Sequence, residues 1–355
     1  MQWDVFCRVV DNHGDVGVAW RLASQLAARG QSVRLWMDDA SALDWMAPAG
    51  APGVAVHPWN AAARAEPAEV VLEAFACGLP SEYATRLTAS SAPPVWVNLE
   101  YLSAEDYVER SHELPSPRPG AAAPGLTLWF YYPGFTPSTG GLLREPGLMA
   151  RRERFDRLAW LHALRADGSL APRPAERIVV LFCYDNPALP ALIQSLAAEP
   201  TLLLATAGPG ARQVEAVLGP ALSAGALRAA PLPLLTQTDF DHLLWTADCN
   251  FVRGEDSLVR ALWAGVPFVW QAYPQHDAAH LAKLDALLCR FLQGAEPPLA
   301  HDVRDLFAAW NGAAPWPGRF PEPEHWRSQV VDWRTQLLGQ QDLCSALLRF
   351  VAEKR

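Results

Sequence analysis

The apolar positions of this chain gather in short runs that alternate with stretches of helical spacing. Residues 3–10 form the first run, rich in Val and Phe, as expected of a buried parallel strand. Asp11-Asn12-His13-Gly14-Asp15-Val16-Gly17 follows as turn chemistry. Val16, Ala19, Trp20, Ala23 and Ala27, with Leu22 and Leu26, then recur at helical spacing until Gly30 supplies a stop. Residues 33–37 are the next strand. Strand, helix and strand in that order predict a βαβ unit and a parallel sheet with a right-handed crossover. Further strands are expected at 70–75, 95–99 and 126–130.

The same pattern restarts in the second half. Residues 178–183 read as a strand, 189–197 as a helix and 202–205 as a strand. A short helix at 239–245, a strand at 249–252, a helix at 257–264 and a strand at 267–270 follow. Leu343, Leu347, Leu348 and Val351 mark a closing amphipathic helix. A Pro/Gly-rich loop, 114–125, lies inside the first half, and the composition breaks at 165–177. That break is the expected interdomain linker, giving an α/β domain at 1–167 and another at 176–355. Two successive α/β halves predict a doubly wound, two-lobed architecture with a cleft between the lobes.

Composition narrows the functional classes. At 355 residues the prior is about two domains. Half of the residues are hydrophobic and 19% are charged, which is globular usage. A net charge of −9 argues against non-specific nucleic-acid binding, which needs basic stripes. Cys7, Cys77, Cys183, Cys249, Cys289 and Cys344 are scattered, with no metal-type spacing, so reduced thiols and no structural zinc are expected. No signal-peptide pattern and no run near the roughly 18 apolar residues of a membrane span are visible, so the expected setting is cytoplasmic.

Two loops carry candidate chemistry. In Asp248-Cys249-Asn250-Phe251-Val252-Arg253-Gly254-Glu255-Asp256-Ser257 a buried strand ends in Gly and opens a helix. Ligands of open α/β sheets bind at the carboxyl ends of strands, and helix N-termini favour phosphate. Arg253 can neutralise phosphate charge and Ser257 can donate a hydroxyl. Glu255 and Asp256 are read equally as first-turn capping residues or as acceptors for sugar hydroxyls. Tyr184-Asp185-Asn186 and Trp270-Gln271-Ala272-Tyr273-Pro274-Gln275 follow strands of the same half; Tyr184 is a candidate to stack on a base or bond a phosphate, or a plain turn residue, and Tyr273 and Gln275 are the best placed of the second segment to line the same site. His280 and Lys283, one helical turn apart, read as a solvated helix face.

In the first half, Asp11 and Asp15 flank Gly14. This loop is not a dinucleotide fingerprint, since only Gly14 and Gly17 are present. Two carboxylates four positions apart can orient an acceptor and take its proton, or Asp15 can be a plain helix N-cap; the residues alone leave both open. His13 reads as a loop residue.

Together these residues resemble the bacterial protein-arginine rhamnosyltransferases that modify translation elongation factor P. The resemblance covers nearly the whole chain. It includes Val10-Asp11-Asn12-His13-Gly14-Asp15-Val16-Gly17 with Trp20-Arg21-Leu22-Ala23, and Val97-Asn98-Leu99-Glu100-Tyr101-Leu102-Ser103. Residues 130–136, 139–145, 251–257, 263–268 and 273–275 also fit. It implies a GT-B fold with an N-terminal acceptor domain and a C-terminal donor domain, the donor dTDP-β-L-rhamnose, and inverting transfer to an arginine without metal or other cofactor. Asp15 then resembles the general base, Asp11 its partner and Glu255 a second essential carboxylate. Tyr184, Phe251, Arg253, Gly254, Asp256, Ser257 and Gln271 match the donor region, with Asn12 and Gly14 in the acceptor loop. An aromatic residue is usual in the family where this chain has His13. The rivals are a same-fold transferase with another sugar or acceptor, and a non-catalytic nucleotide-sugar-binding protein.

Overall fold

Runs of Val, Leu, Ile and aromatic residues with no polar alternation become the central strands, because helices cover both faces of a parallel sheet. The computed structural model describes residues 1–10, 13–90, 93–117, 126–274 and 279–355. By contact these fall into two compact units, Met1–Pro146 with Leu337–Arg355, and Gly147–Gln336.

In the first unit the strands are β1 (Gln2–Cys7), β2 (Ser32–Met37), β3 (Val54–Pro58), β4 (Val70–Ala74), β5 (Val95–Leu99), β6 (Pro115–Pro117) and β7 (Thr127–Tyr131). They form one sheet in the order β3-β2-β1-β4-β5-β7-β6. All pairings are parallel except the edge pair of β6 with β7. The first helix, Gly14–Ala28, supplies the crossover from β1 to β2. Strand order reverses at β1, so the switch point of this sheet lies between β1 and β4.

The second unit carries β8 (Arg177–Leu181), β9 (Thr201–Ala205), β10 (Ser223–Ala224), β11 (Leu227–Pro231), β12 (Cys249–Arg253) and β13 (Phe268–Gln271). Their order is β10-β11-β9-β8-β12-β13, parallel throughout except for β10 with β11. The switch point here lies between β8 and β12. Helices Glu255–Ala264 and Pro209–Leu218 follow β12 and β9. A Cβ at Gly210 would stand 2.9 Å from Cys183 Sγ, so a glycine there lets the second of these helices approach the end of β8.

The division of the chain differs from the expected one in two respects. The composition break at 165–177 is a surface stretch of the second unit and not a boundary. The preceding helix, Arg157–Leu164, is tied to that unit by Trp160 Nε1 donating to Asp239 Oδ1 at 3.2 Å, and Arg165 donates to the Pro231 carbonyl at 3.1 Å. The closing helix, Leu343–Lys354, returns to the first unit. Its Leu343, Leu347, Phe350 and Val351 share a core with Trp3, Val5, Leu22, Leu26 and Leu72. Arg29 also pairs with Asp342 at 2.9 Å, at the start of that helix.

Candidate functional site

In the second unit the expected segment folds as its pattern implies. β12 ends at Arg253, and Gly254 takes φ 73°, ψ 168° before helix Glu255–Ala264 begins. That positive φ turns a strand directly into a helix start and favours glycine. The helix's first hydrogen bond runs from the Leu258 N–H to the Gly254 carbonyl, 3.2 Å. The Gly254 carbonyl also accepts the Trp270 indole N–H at 3.0 Å, which fixes the turn from the neighbouring strand.

Arg253 is 5% exposed. Its guanidinium carbon lies 4.3 Å from the Tyr184 ring centroid and 4.6 Å from that of Phe182. Tyr184 follows β8, the strand beside β12, so the two residues meet at the switch point. The Tyr184 N–H donates to Gln271 Oε1 at 2.9 Å, and Gln271 lies in register with Arg253 across β12 and β13. Tyr273 stands edge-on to Tyr184 with centroids 5.4 Å apart. Ser257 is buried in the helix's first turn, while Glu255 and Asp256 are half-buried. Cys183, behind this strand end, is pushed up to about 12 by burial, against the opposing pull of the Arg253 charge, and stays a thiol.

The structure corrects two expectations here. Lys283 is no solvated-face residue: its Nζ pairs with Glu255 Oε1 at 2.6 Å, both side chains at most a quarter exposed. The two lie 28 positions apart, and only the packing of helix Ala279–Phe291 brings them together. Phe251, expected among donor-contacting residues, is fully buried, its ring edge-on to Trp310 at 4.9 Å; it packs the core beneath the site. Gln275 lies outside the described residues.

In the first unit, Asp15 is 3% exposed and sits in the first turn of its helix. It is not the N-cap; that position is His13, whose side chain makes no capping bond. The Asp15 carboxylate instead accepts the Val10 N–H at 2.8 Å, while Val9 N–H donates to Asp38 at 3.0 Å. The loop after β1 is thus braced by carboxylates on both sides. His13 is exposed and packs edge-on to Trp45 at 5.1 Å. Gly14 is the first helical residue. Asp11 and Asn12 lie outside the described residues. Among the described residues no group of three or more His, Cys, Asp or Glu is placed to hold a metal ion, and no helix is long and apolar enough to cross a membrane.

Two successive, mostly parallel sheets, each with a switch point, make up the GT-B fold of glycosyltransferases. Solved glycosyltransferases share this fold at low identity: a kitacinnamycin glycosyltransferase at 14% identity and TM-score 0.54, covering 98% of each chain, and Acinetobacter baumannii MurG at 13% and 0.51, covering 99% of each. Within that class the chain belongs to the family described as Elongation-Factor P (EF-P) rhamnosyltransferase EarP, which it matches over residues 3–352. It is 40% identical to a protein-arginine rhamnosyltransferase of Pseudomonas aeruginosa, over 99% of both chains, and 42% identical to that of Pseudomonas putida, over 98% of both. A solved structure concerned with EarP-mediated arginine glycosylation of translation elongation factor EF-P is 29% identical, with TM-score 0.70 over 100% of this chain and 99% of the other.

Proposed function

We propose that this chain moves L-rhamnose from dTDP-β-L-rhamnose to an arginine side chain of elongation factor P, with inversion at the sugar and without a metal ion. The observation that carries the reading is the buried Arg253, held over Tyr184 at the start of the Glu255 helix in a chain of this family. Such a junction suits a diphosphate: a guanidinium fork at the strand end, a helix N-terminus and a serine in its first turn follow one another within five residues. Glu255 would repel phosphate on its own, and its pairing with Lys283 offsets that repulsion. The second unit therefore takes the donor and the first the acceptor.

The acceptor sets the remaining requirements. A guanidinium has a pKa above about 12, so its nitrogen attacks only if a base removes a proton as the C–N bond forms. Asp15 is the proposed base, with Asp11 orienting the guanidinium plane and Glu255 acting on the sugar side. One arginine nitrogen attacks C1, the bond from C1 to the diphosphate oxygen breaks, and the proton goes to the Asp15 carboxylate. The departing dTDP carries its own charge onto Arg253 and the helix start, the kind of stabilisation that usually supplies the largest share of such catalysis. Acting on a translation factor, the enzyme works in the cytoplasm.

Intact-mass measurement of purified elongation factor P tests the reading. Incubation with the chain and dTDP-rhamnose adds one rhamnose-sized increment, localised by fragmentation to an arginine. An increment from a different nucleotide sugar alone assigns the chain to another transferase. Donor binding without turnover makes it a nucleotide-sugar-binding protein.

A further inference from the structure

The carboxyl edge of the first sheet holds a second constellation, which the Asp15 chemistry does not use. β4 ends in two consecutive non-glycine residues in the left-handed region, Phe75 at φ 60° and Ala76 at φ 52°. Each costs on the order of 1 kcal/mol, and such strain persists where surrounding bonds hold it and where a site needs it. Here the Phe75 N–H donates to the Leu99 carbonyl at 2.7 Å, and the Ala76 N–H to Asn98 Oδ1 at 2.9 Å. Asn98 is buried, and its amide nitrogen donates onward to Glu100 Oε1 at 2.6 Å. The turn and the carboxylate are thus fixed by one side chain.

The turn lays the Phe75 ring flat against Tyr101, centroids 4.4 Å apart and planes 13° apart, with Tyr101 39% exposed. Glu100 beside it is half-buried, and burial raises its pKa despite the Asn98 bond. Among the described residues no lysine or arginine pairs with it. Burial first and the Glu100 charge second raise the Tyr132 hydroxyl to about 12. A desolvated carboxylate without a cation, next to an exposed aromatic stack, is matched by one side-chain chemistry in particular. A guanidinium is flat enough to lie on the stack and forked enough to bond the carboxylate, where an ammonium does only the second.

The position fits as well. β4 alone separates β1, which leads into the Asp15 loop, from β5, which leads into Glu100. Two strand spacings are about 10 Å, a gap that one guanidinium can bridge between two carboxylate side chains. Cys77 Sγ, 3.4 Å from the Phe6 carbonyl, links the strained turn to the end of β1.

We propose that Glu100 and the Phe75–Tyr101 stack form the subsite that grips the guanidinium of the reacting arginine on the acceptor protein. This rests on the proposed arginine transfer. The tests are Glu100→Gln and Tyr101→Ala, with Tyr101→Phe as the conservative control. Transfer rates are followed by intact mass against acceptor concentration, donor affinity by calorimetry and folding by thermal melting. Both disruptive variants should raise the acceptor KM about tenfold or more while donor affinity and melting stay within error, and Tyr101→Phe should restore the wild-type KM, because the ring face does the work. An unchanged acceptor KM in both variants overturns the subsite. So does a rise accompanied by equal loss of donor affinity or a drop in melting, which would make the cluster a brace for the turn. Wild-type protein that adds no rhamnose sinks the transfer reading instead; direct calorimetric binding of the acceptor to wild type and to Tyr101→Ala then still decides the subsite.

Discussion

Asp15 is the residue whose surroundings say most about its work. Its carboxylate is nearly sealed from water and oriented by the Val10 N–H, which fits a base that must point one way. Asp15→Asn keeps the shape and the accepting oxygen but cannot take a proton. Transfer should fall by about 10²–10⁴-fold, the usual range for a lost general base, with dTDP-rhamnose affinity preserved; single-turnover kinetics with calorimetry read both, and full activity removes Asp15 from the role. Lys283 belongs with it. Lys283→Met removes the positive charge paired with Glu255 at the junction proposed to hold the diphosphate. Donor affinity should drop about tenfold, the order expected when one positive charge is lost beside a bound anion, and Lys283→Arg should recover most of it. Equal donor affinity in Lys283→Met would show that the pair is incidental.

His112 gives a pH dependence that can be signed. Its pKa is lowered from 6.5 to about 4, chiefly by burial and secondarily by the Arg349 charge. Its Nδ1 accepts the Tyr132 N–H at 3.1 Å, which requires the neutral ring. A histidine with a depressed folded-state value binds fewer protons folded than unfolded between the two pKa values. Its stability contribution is therefore complete above about pH 6.5 and is lost as pH falls toward 4. Melting temperature should drop by a few degrees across that window and less so in His112→Asn; identical slopes in both proteins would exclude His112 as the cause.

At the scale of elements, the junctions at strand ends decide whether a site exists. Helix Glu255–Ala264 can start directly after β12 only because residue 254 takes a positive φ. Gly254→Ala should cost about 1–2 kcal/mol and shift the helix start away from Arg253, weakening donor binding along with stability. A variant with wild-type melting and donor affinity would contradict the strain argument. The apolar runs at β1, β2, β4, β5, β7, β8, β9, β12 and β13 were legible because the inner strands of such sheets are dominated by apolar positions. β3 and β11 were not. β3 lies at the sheet edge with a largely open, Ala- and Pro-containing segment, and β11 reads Leu-Arg-Ala-Ala-Pro. The helices at Pro297–Trp310 and Pro323–Leu338 also went unread, and of Ala279–Phe291 only the helical spacing of His280 and Lys283 was legible, not the partner of Lys283.

For the molecule as a whole, the chain leaves the first unit at Pro146 and comes back at Leu337. The unit that carries Asp15 is therefore completed by the last residues of the chain. Leu347 on the returning helix is fully buried in the core of the first sheet. Leu347→Ala should cost about 2–5 kcal/mol. Hydrogen exchange should show the lost protection in β1 and helix Gly14–Ala28 and not in β12, with donor affinity unchanged. Lost protection concentrated in β12 would mean that the closing helix serves the other unit.

What the sequence determined by itself follows from local rules. Apolar runs without polar alternation mean parallel strands; Gly254 after a strand means an abrupt helix start; Arg253 and Tyr184 stand at or just after strand ends, with Ser257 and Asp15 in the first turns of the helices that follow, where such folds bind ligands. The tertiary structure alone decided which distant groups share a charge and which segment belongs to which core. The pairing of Lys283 with Glu255, the core position of Phe251, the link from Asn98 to Glu100 and the return of the C-terminal helix all rest on contacts across folded space. Composition and periodicity describe a residue's own surroundings along the chain. They hold no information about which other segment will be packed against it.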